Sequence, residues 1–365
     1  MNRKMVKMKI LLWCLFSVSL AVNGQDSITS NEVINRTYPV GERDRLEVEN
    51  KYGDVIIETS EGDELNIRAE VILRGGSDKA ISELKEYVHV EISKNGSFLI
   101  AKTHWGKNAS FFTKSLEGIK GVFDGDRSVE VNYFIEAPSY LDMRITNKFG
   151  DVFIGEHEGR LDIDLSHGDL RSRKISSPEK VKVSYGKMIV DEWGTGRVEV
   201  YFGEIDSKKA QDLTIKSKNS EIEFEDAQKL NFHSQNDEIH LEQVGELRGD
   251  FRFSKTRVDL LRSTLIIDQD YGDLRIKSVG PNFDSVDLTL KKSDATLIID
   301  EDTPFNFSVF LTNGKTFSSV PELVTLKRDE QIGDERQMEG YWKEPHPTRK
   351  VTVKGESSVV NIAKK

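Results

Sequence analysis

The chain is almost without cysteine. Cys14 is the only one in 365 residues, which excludes a disulfide framework and a cysteine-based zinc site. Aromatic residues make up only 8% of the chain. A basic excess is also missing: 52 Lys+Arg against 62 Asp+Glu leave a net charge of −10, whereas a nucleic-acid binder presents a basic face. His157 and His167 stand ten apart and His233 and His240 seven apart, so neither pair has the helical two-His spacing of a zinc hydrolase. No Gly-x-Ser-x-Gly elbow and no phosphate-binding glycine loop occurs. Metal, cofactor and catalytic constellation are therefore all read as none.

What remains suffices for a fold. At 37% apolar residues there is enough for a core, and the 31% charged residues are too mixed in sign for a disordered acidic chain. The length suggests two domains, although elongated β-proteins run longer as a single unit.

Residues 1–24 read as a secretory signal peptide. Arg3, Lys4, Lys7 and Lys9 form a basic start, and Ile10 to Val22 is an apolar run too short for a standard membrane span. Short side chains follow at Asn23 and Gly24, where cleavage is expected. Cleavage there takes away four basic and no acidic residues, which deepens the net charge from −10 to −14. No later apolar run is long enough to cross a bilayer, so an exported chain without a transmembrane span is expected, destined for the periplasm, outer surface or medium. With its one cysteine removed, it needs no oxidation to fold.

The rest of the chain repeats. Glu49-Asn50-Lys51-Tyr52-Gly53-Asp54-Val55 matches Thr146-Asn147-Lys148-Phe149-Gly150-Asp151-Val152 almost residue for residue. From Gly150 a series of turn-forming residues follows: Gly168, Gly186, Gly203, Ser220, Asp237, Ser254, Gly272, Ser293 and Gly314, at steps of 17 to 21 residues. Glycine is the member of this set that tolerates positive φ. Apolar residues hold register on both sides, as in Ile145, Ile163, Val181, Val198 and Ile215 before the anchors and Val152, Leu170, Met188, Ile205 and Ile222 after them. Charged neighbours alternate with them, as in Glu221-Ile222-Glu223-Phe224, so each repeat is strand, tight turn, strand.

Such a short unit cannot bury its inner face alone, and stacked neighbours must supply the other side. The expected fold is all-β: a single-stranded, right-handed parallel β-helix (β-solenoid) with coils of 17–21 residues. At ~4.8 Å per coil the ten anchors from Gly150 to Gly314 make a rod on the order of 45 Å long.

Residues 60–140 interrupt the repeat. Leu65 to Ile72 and Val129 to Ile135 alternate as strands, Ser77 to Glu86 has helical spacing with Ser77 as N-cap, and Asn95-Gly96 marks a hairpin. This block reads as a small α+β cap on the solenoid end. The expected organisation is a signal peptide at 1–24, a linker at 25–43, the first repeat and cap at 44–140, coils at 141–320, and a C-terminal loop with terminal strands at 321–365. Asp329 to Lys350 reads as loop, followed by strands near Val351 and Val359.

An exported chain with Asn-Lys-Tyr/Phe-Gly-Asp-Val turns resembles the bacterial putative-adhesin families of unknown function, with head-GIN-like domains and toast-rack-like β-solenoids among them. The residues that carry the resemblance are Glu136-Ala137-Pro138, Ile145 to Ile154 and the turns beyond. The resemblance spans residues 44–365 and implies a solenoid of the envelope or exterior; it brings no catalytic residues.

Two columns of side chains follow from the repeat. The turn anchors Gly53, Gly150, Gly168, Gly186, Gly203, Gly272 and Gly314 form the structural spine. Just after them stand Asp151, Asp169, Glu204, Glu221, Glu238 and Asp273, with Lys187 and Lys255 between. This is either a ridge for Ca²⁺ or another polycation, or ordinary turn chemistry on a solvated corner. Just before the anchors stand Tyr52, Phe149, Tyr185, Phe202, Phe253 and Tyr271, with His167, Asn219 and Asn236 interspersed. Stacked, they form either a sugar-binding strip or a ladder that stabilises the corner.

The sequence thus points to an exported, non-enzymatic β-solenoid, monomeric, acting as an adhesin-like or structural interaction module whose partner is an envelope protein or glycan. The alternatives are a polysaccharide-active β-helix enzyme and an envelope-stress sensor domain.

Overall fold

A computed structural model describes residues 27–106, 127–313, 316–318, 321–346 and 348–365. The proposed signal peptide and Gly314 lie outside these described residues.

The fold is an all-β solenoid. Its middle consists of long strands, among them Val152–Ser166, Leu170–Ser184, Lys187–Tyr201, Glu204–Lys218, Glu221–Gln235, Glu238–Arg252 and Lys255–Asp270. Each is hydrogen-bonded in parallel to the next. Fifteen extended residues would span about 50 Å, so a short turn returns the chain to its starting level only if each strand folds back on itself midway. Every coil thus has two arms facing each other across a thin core. Ile205, Ile222 and Ile239 stack in register on one arm, and Leu213, Leu230 and Leu247 on the other. All six are buried, and the charged residues between them point outward. The period-two alternation of the sequence is this in–out alternation.

Both ends of the rod are threaded out of chain order. The coil of the first motif copy, Arg45–Glu49 with Val55–Ser60, stacks on Asp142–Lys148 and Val152–Ser166 through pairs such as Val48↔Ile145 and Val55↔Val152. On its other side lie Phe98–Trp105 and Ser128–Pro138, paired through Leu46↔Leu99 and Val55↔Tyr133. The inserted block therefore supplies a further coil, and it also carries the helix and the hairpin expected from the sequence. Helix Asp78–Lys85 starts at Ser77, whose hydroxyl accepts the Ala80 N–H, and the hairpin Val88–Asn95/Phe98–Trp105 turns at Gly96.

One boundary needs correction. Residues 25–43 are not a linker throughout: Ile28–Pro39 is a strand, antiparallel to Glu64–Gly75 along its whole length. It is an edge strand with mostly exposed side chains, so it carries no in–out alternation to reveal it.

The other end repeats the device. Lys350–Glu356 and Val359–Lys364 stack on Ser285–Lys291 and Asp294–Ile299, through Val286↔Val351 and Ala295↔Val360. Phe305–Thr312 and Thr316–Ser318 lie beyond them. The turn residue that stacks on Ser293 is therefore Ser358, whose hydroxyl accepts the Ser293 N–H: the C-terminal strands are inserted between two coils that are consecutive in sequence. Asp329 to Lys350 is likewise not a loop throughout. Val324–Ile332 and Glu335–Trp342 form a hairpin through Gly333, at φ 60°, and its second strand pairs with Phe305–Thr312. Almost every residue of Val324–Ile332 is exposed, so that strand too lacks an apolar pattern.

Candidate functional site

The turn edge of the solenoid collects the sequence-marked residues into parallel columns. Its construction explains the Asn-Lys-Tyr/Phe-Gly-Asp motif residue by residue. The Asn147 amide is fully buried and donates from Nδ2 to the carbonyls of Gly53 and Gly150, 3.0 Å each. Asn50 does the same for the Val131 carbonyl, at 2.8 Å. The aspartate links one coil to the next: Asp54 Oδ1 accepts the Asp151 N–H, Asp151 Oδ1 that of Asp169, and Asp169 Oδ1 that of Lys187, at 2.8–2.9 Å.

The glycine anchors have a different cause from the one read in the sequence. Of the described turn anchors, only Gly53 has positive φ, at 117°. At Gly150, Gly168, Gly186, Gly203 and Gly272 the constraint is space, because a Cβ there would lie 1.9–2.2 Å from a carbonyl oxygen of the adjacent coil. From Gly150 to Gly272 the left-handed residue is instead the one before the anchor. Phe149, His167, Tyr185, Phe202, Asn219, Asn236, Phe253 and Tyr271 all have φ between 52° and 58°.

Where the anchor is not glycine, its side chain takes over the link between coils. Ser220 Oγ accepts from Gly203 N, Asp237 Oδ1 from Ser220 N, and Ser254 Oγ from Asp237 N. Asp237 is buried; burial pushes its carboxyl above the ordinary aspartate value, while hydrogen bonds from Ser234 and Ser217 and from the N–H groups of Ser220 and Gln235 pull it back. Sequence reading missed this polar spine because serine and aspartate are also ordinary turn residues.

The aromatic column is one continuous stack over five rungs. Centroid spacings are 5.4 Å for Tyr52–Phe149, 4.9 Å for Phe149–His167, 4.9 Å for His167–Tyr185 and 5.2 Å for Tyr185–Phe202. Phe253 and Tyr271 stack again at 5.1 Å, and the Lys292 ammonium lies 5.1 Å from the Tyr271 centroid. Between the two stacks the column is made of amides: Asn236 Nδ2 donates to Asn219 Oδ1 at 2.7 Å. The rings are about half exposed, for example Tyr185 at 53%. Inside the stack they turn their faces to one another and their edges to solvent.

The acidic column is in register: Glu204, Glu221 and Glu238 pair in succession, followed by Lys255 and Asp273. Lys187 pairs with Glu204 at 3.1 Å, and that hydrogen bond raises the lysine's pKa. Asp151 and Asp169 belong to the ladder of carboxylates that accept backbone N–H groups. Among the described residues, no group of three or more side chains comes together that could hold a metal ion. The histidines are scattered: His157 is in the core, His167 is in the ring stack, His233 faces Asp250 at 3.2 Å and His240 faces Asp259 at 3.4 Å. No helix among the described residues is long and apolar enough to cross a membrane.

No protein-family model matches the chain, and no curated protein matches it. Solved structures that are similar include a putative adhesin from Parabacteroides distasonis, at 12% identity over 91% of this chain and 97% of that one, with a TM-score of 0.34. A putative cell adhesion protein from Clostridium sporogenes matches at 8% identity over 92% and 100%, with a TM-score of 0.20. A putative lipid binding protein from Parabacteroides distasonis matches at 9% identity over 90% and 96%, with a TM-score of 0.28. Scores this low assign no function to this chain.

Proposed function

We propose that the protein is an exported, non-enzymatic β-solenoid that acts as an adhesin-like or structural interaction module of the bacterial cell envelope, with an envelope protein or glycan as its partner. The observation behind this reading is the half-exposed aromatic column on the turn edge. An L-residue with a bulky side chain in the left-handed region costs on the order of 1–2 kcal/mol, and glycine would avoid that cost. The chain nonetheless holds aromatic rings there at Phe149, Tyr185, Phe202, Phe253 and Tyr271. Ring stacking offsets part of the cost, and the result is an extended polar–aromatic surface without a deep pocket, suited to a long partner. The test is a binding screen of the purified protein against glycans and solubilised envelope fractions. A partner whose retention drops when both Tyr185 and Phe202 are replaced by glycine supports the reading; no retained partner of either kind overturns it.

A further inference from the structure

The aromatic column has a gap two rungs wide, and we propose that this gap is a carbohydrate-binding notch for N-acetylated pyranose rings. The proposal rests on the interaction-module reading above and names its ligand class.

Phe202 and Phe253 are the end rings of their stacks. Phe202 has Tyr185 on one face and Phe253 has Tyr271, and the inner side of each looks toward the gap. Three coil steps separate them, about 14 Å at ~4.8 Å per step. A carbon–carbon contact distance of ~3.5 Å for the two rings leaves about 11 Å clear, room for a sugar ring against either wall. The side chains at the two intervening rungs, Asn219 and Asn236, are shorter than a ring. A depression of about 510 Å³ opens above them, lined by Phe202, Asn219, Asn236, Phe253, Glu221 and Glu238. Phe202 and Phe253 are 48% and 56% exposed.

The chemistry of the notch is mixed in the manner of a sugar site. Pyranose C–H groups carry slight positive charge and suit the negative face of an aromatic ring. The floor is an amide pair with donors left at one end and an acceptor at the other. Once Asn236 Nδ2 donates to Asn219 Oδ1, the Asn219 Nδ2 hydrogens and the Asn236 Oδ1 lone pairs remain for a ligand. An acetamido group offers the complementary carbonyl and N–H. Glu204, Glu221 and Glu238 along one rim accept hydroxyl donors and repel acidic sugars. Lys218 and Arg252 stand in the column on the other side of the turn, with Gln235 between them, so an acidic rim faces a basic one across the turn.

The notch is also distinguishable from a merely structural interruption. Asn219 and Asn236 have φ of 52° and 58°, matching the 53° of Phe202, so the backbone there already suits a ring. Replacing both asparagines by phenylalanine should complete the ladder from Tyr52 to Tyr271 and fill the notch while leaving the fold intact.

The experiment is a titration of the purified protein with triacetylchitotriose, followed by chemical shifts or heat, with cellotriose as the comparison that lacks acetamido groups. The wild type should bind triacetylchitotriose more tightly than cellotriose. The Asn219→Phe/Asn236→Phe variant should lose at least ~10-fold in affinity at an unchanged or higher melting temperature. Phe253→Ala should weaken binding, and Phe149→Ala, deep in the stacked segment, should not. Undiminished binding by the filled variant overturns the notch. So does the absence of triacetylchitotriose binding by the wild type up to ~10 mM. If the glycan and envelope screen still retains a partner in either case, the interaction-module reading stands without the notch; an empty screen removes both.

Discussion

Gly168 lies so close to Gly150 in the neighbouring coil that a Cβ on Gly168 would sit 2.1 Å from the Gly150 carbonyl oxygen. The obstacle is backbone on both sides, so no side chain can rotate away to make room. Gly168→Ala should therefore push two coils apart locally and destabilise the protein by about 1–3 kcal/mol, the usual range for overpacking. Gly41→Ala is the control: nothing lies within 4 Å of a Cβ there, and its φ is not positive. Urea or thermal unfolding of the two variants checks the difference; equal stability would show that the turn spine yields easily.

Tyr185 separates two opposing effects at one position. Its ring stacks between His167 and Phe202, at 4.9 and 5.2 Å, while its backbone sits at φ 57°. Alanine removes the stacking and keeps the strained φ; glycine removes both. Stacked aromatic pairs contribute ~0.5–1.5 kcal/mol each, and the left-handed penalty is of similar size. Tyr185→Ala should thus cost about 1–3 kcal/mol, and Tyr185→Gly should be the more stable of the two despite the poor strand propensity of glycine. Midpoints of chemical denaturation, read alongside an unchanged m-value, decide the order.

The sequence displays the solenoid because every interior coil obeys the same two rules: Ile205, Ile222 and Ile239 must face the core, and a turn must recur at fixed spacing. Columns derived from that spacing, such as Glu204–Glu221–Glu238 and Tyr185–Phe202, are the columns in the structure. What escapes the pattern is whatever is decided by non-local stacking. Gly314 looks like the next anchor after Ser293, yet the rung is taken by Ser358, 65 residues on, because the C-terminal strands insert between coils. The exposed strands Ile28–Pro39 and Val324–Ile332 carry no alternation to read. The function of the anchor glycines also needed the structure, since close approach and positive φ leave the same letter in a sequence. Asn219 and Asn236 read in the sequence only as members of the column before the anchors; the rings that end their stacks on either side of them are seen only in the structure.

Asn147 tests the motif itself. Its buried Nδ2 serves two turn carbonyls, Gly53 and Gly150, at 3.0 Å each. Asn147→Ala takes the side-chain donor from the Gly150 carbonyl and leaves the Gly53 carbonyl with Asn50 Nδ2 at 3.2 Å, and should cost about 1–3 kcal/mol. Asn147→Asp should cost more, because a buried carboxylate facing two carbonyl oxygens has no donor to offer until it is protonated. Stability measured at pH 7 and again near pH 4 distinguishes the two: the Asp variant should recover part of its deficit on acidification, and the Ala variant should not.

His157 makes the fold sensitive to acid. The ring is buried in the core, its Nε2 has no hydrogen-bond partner, and burial pulls its pKa down to about 4 against the nearby Asp142 charge, which favours protonation. Its ordinary value is 6.5, so the unfolded chain binds this proton first as the pH falls. The folded state therefore keeps its full contribution from this group above pH ~6.5 and loses it progressively down to pH ~4, about 3 kcal/mol over the window at ~1.4 kcal/mol per unit. Asp237 acts with the opposite sign, because its carboxyl is held above its ordinary value and acidification through that value relieves a cost. His157→Leu removes the titrating ring at similar volume. Its stability should fall less than that of the wild type between pH 6.5 and 4, and the two curves should run parallel above pH 7. Parallel curves across the whole range would mean that the folded protein admits the protonated ring without cost, and the loss on acidification would then lie elsewhere.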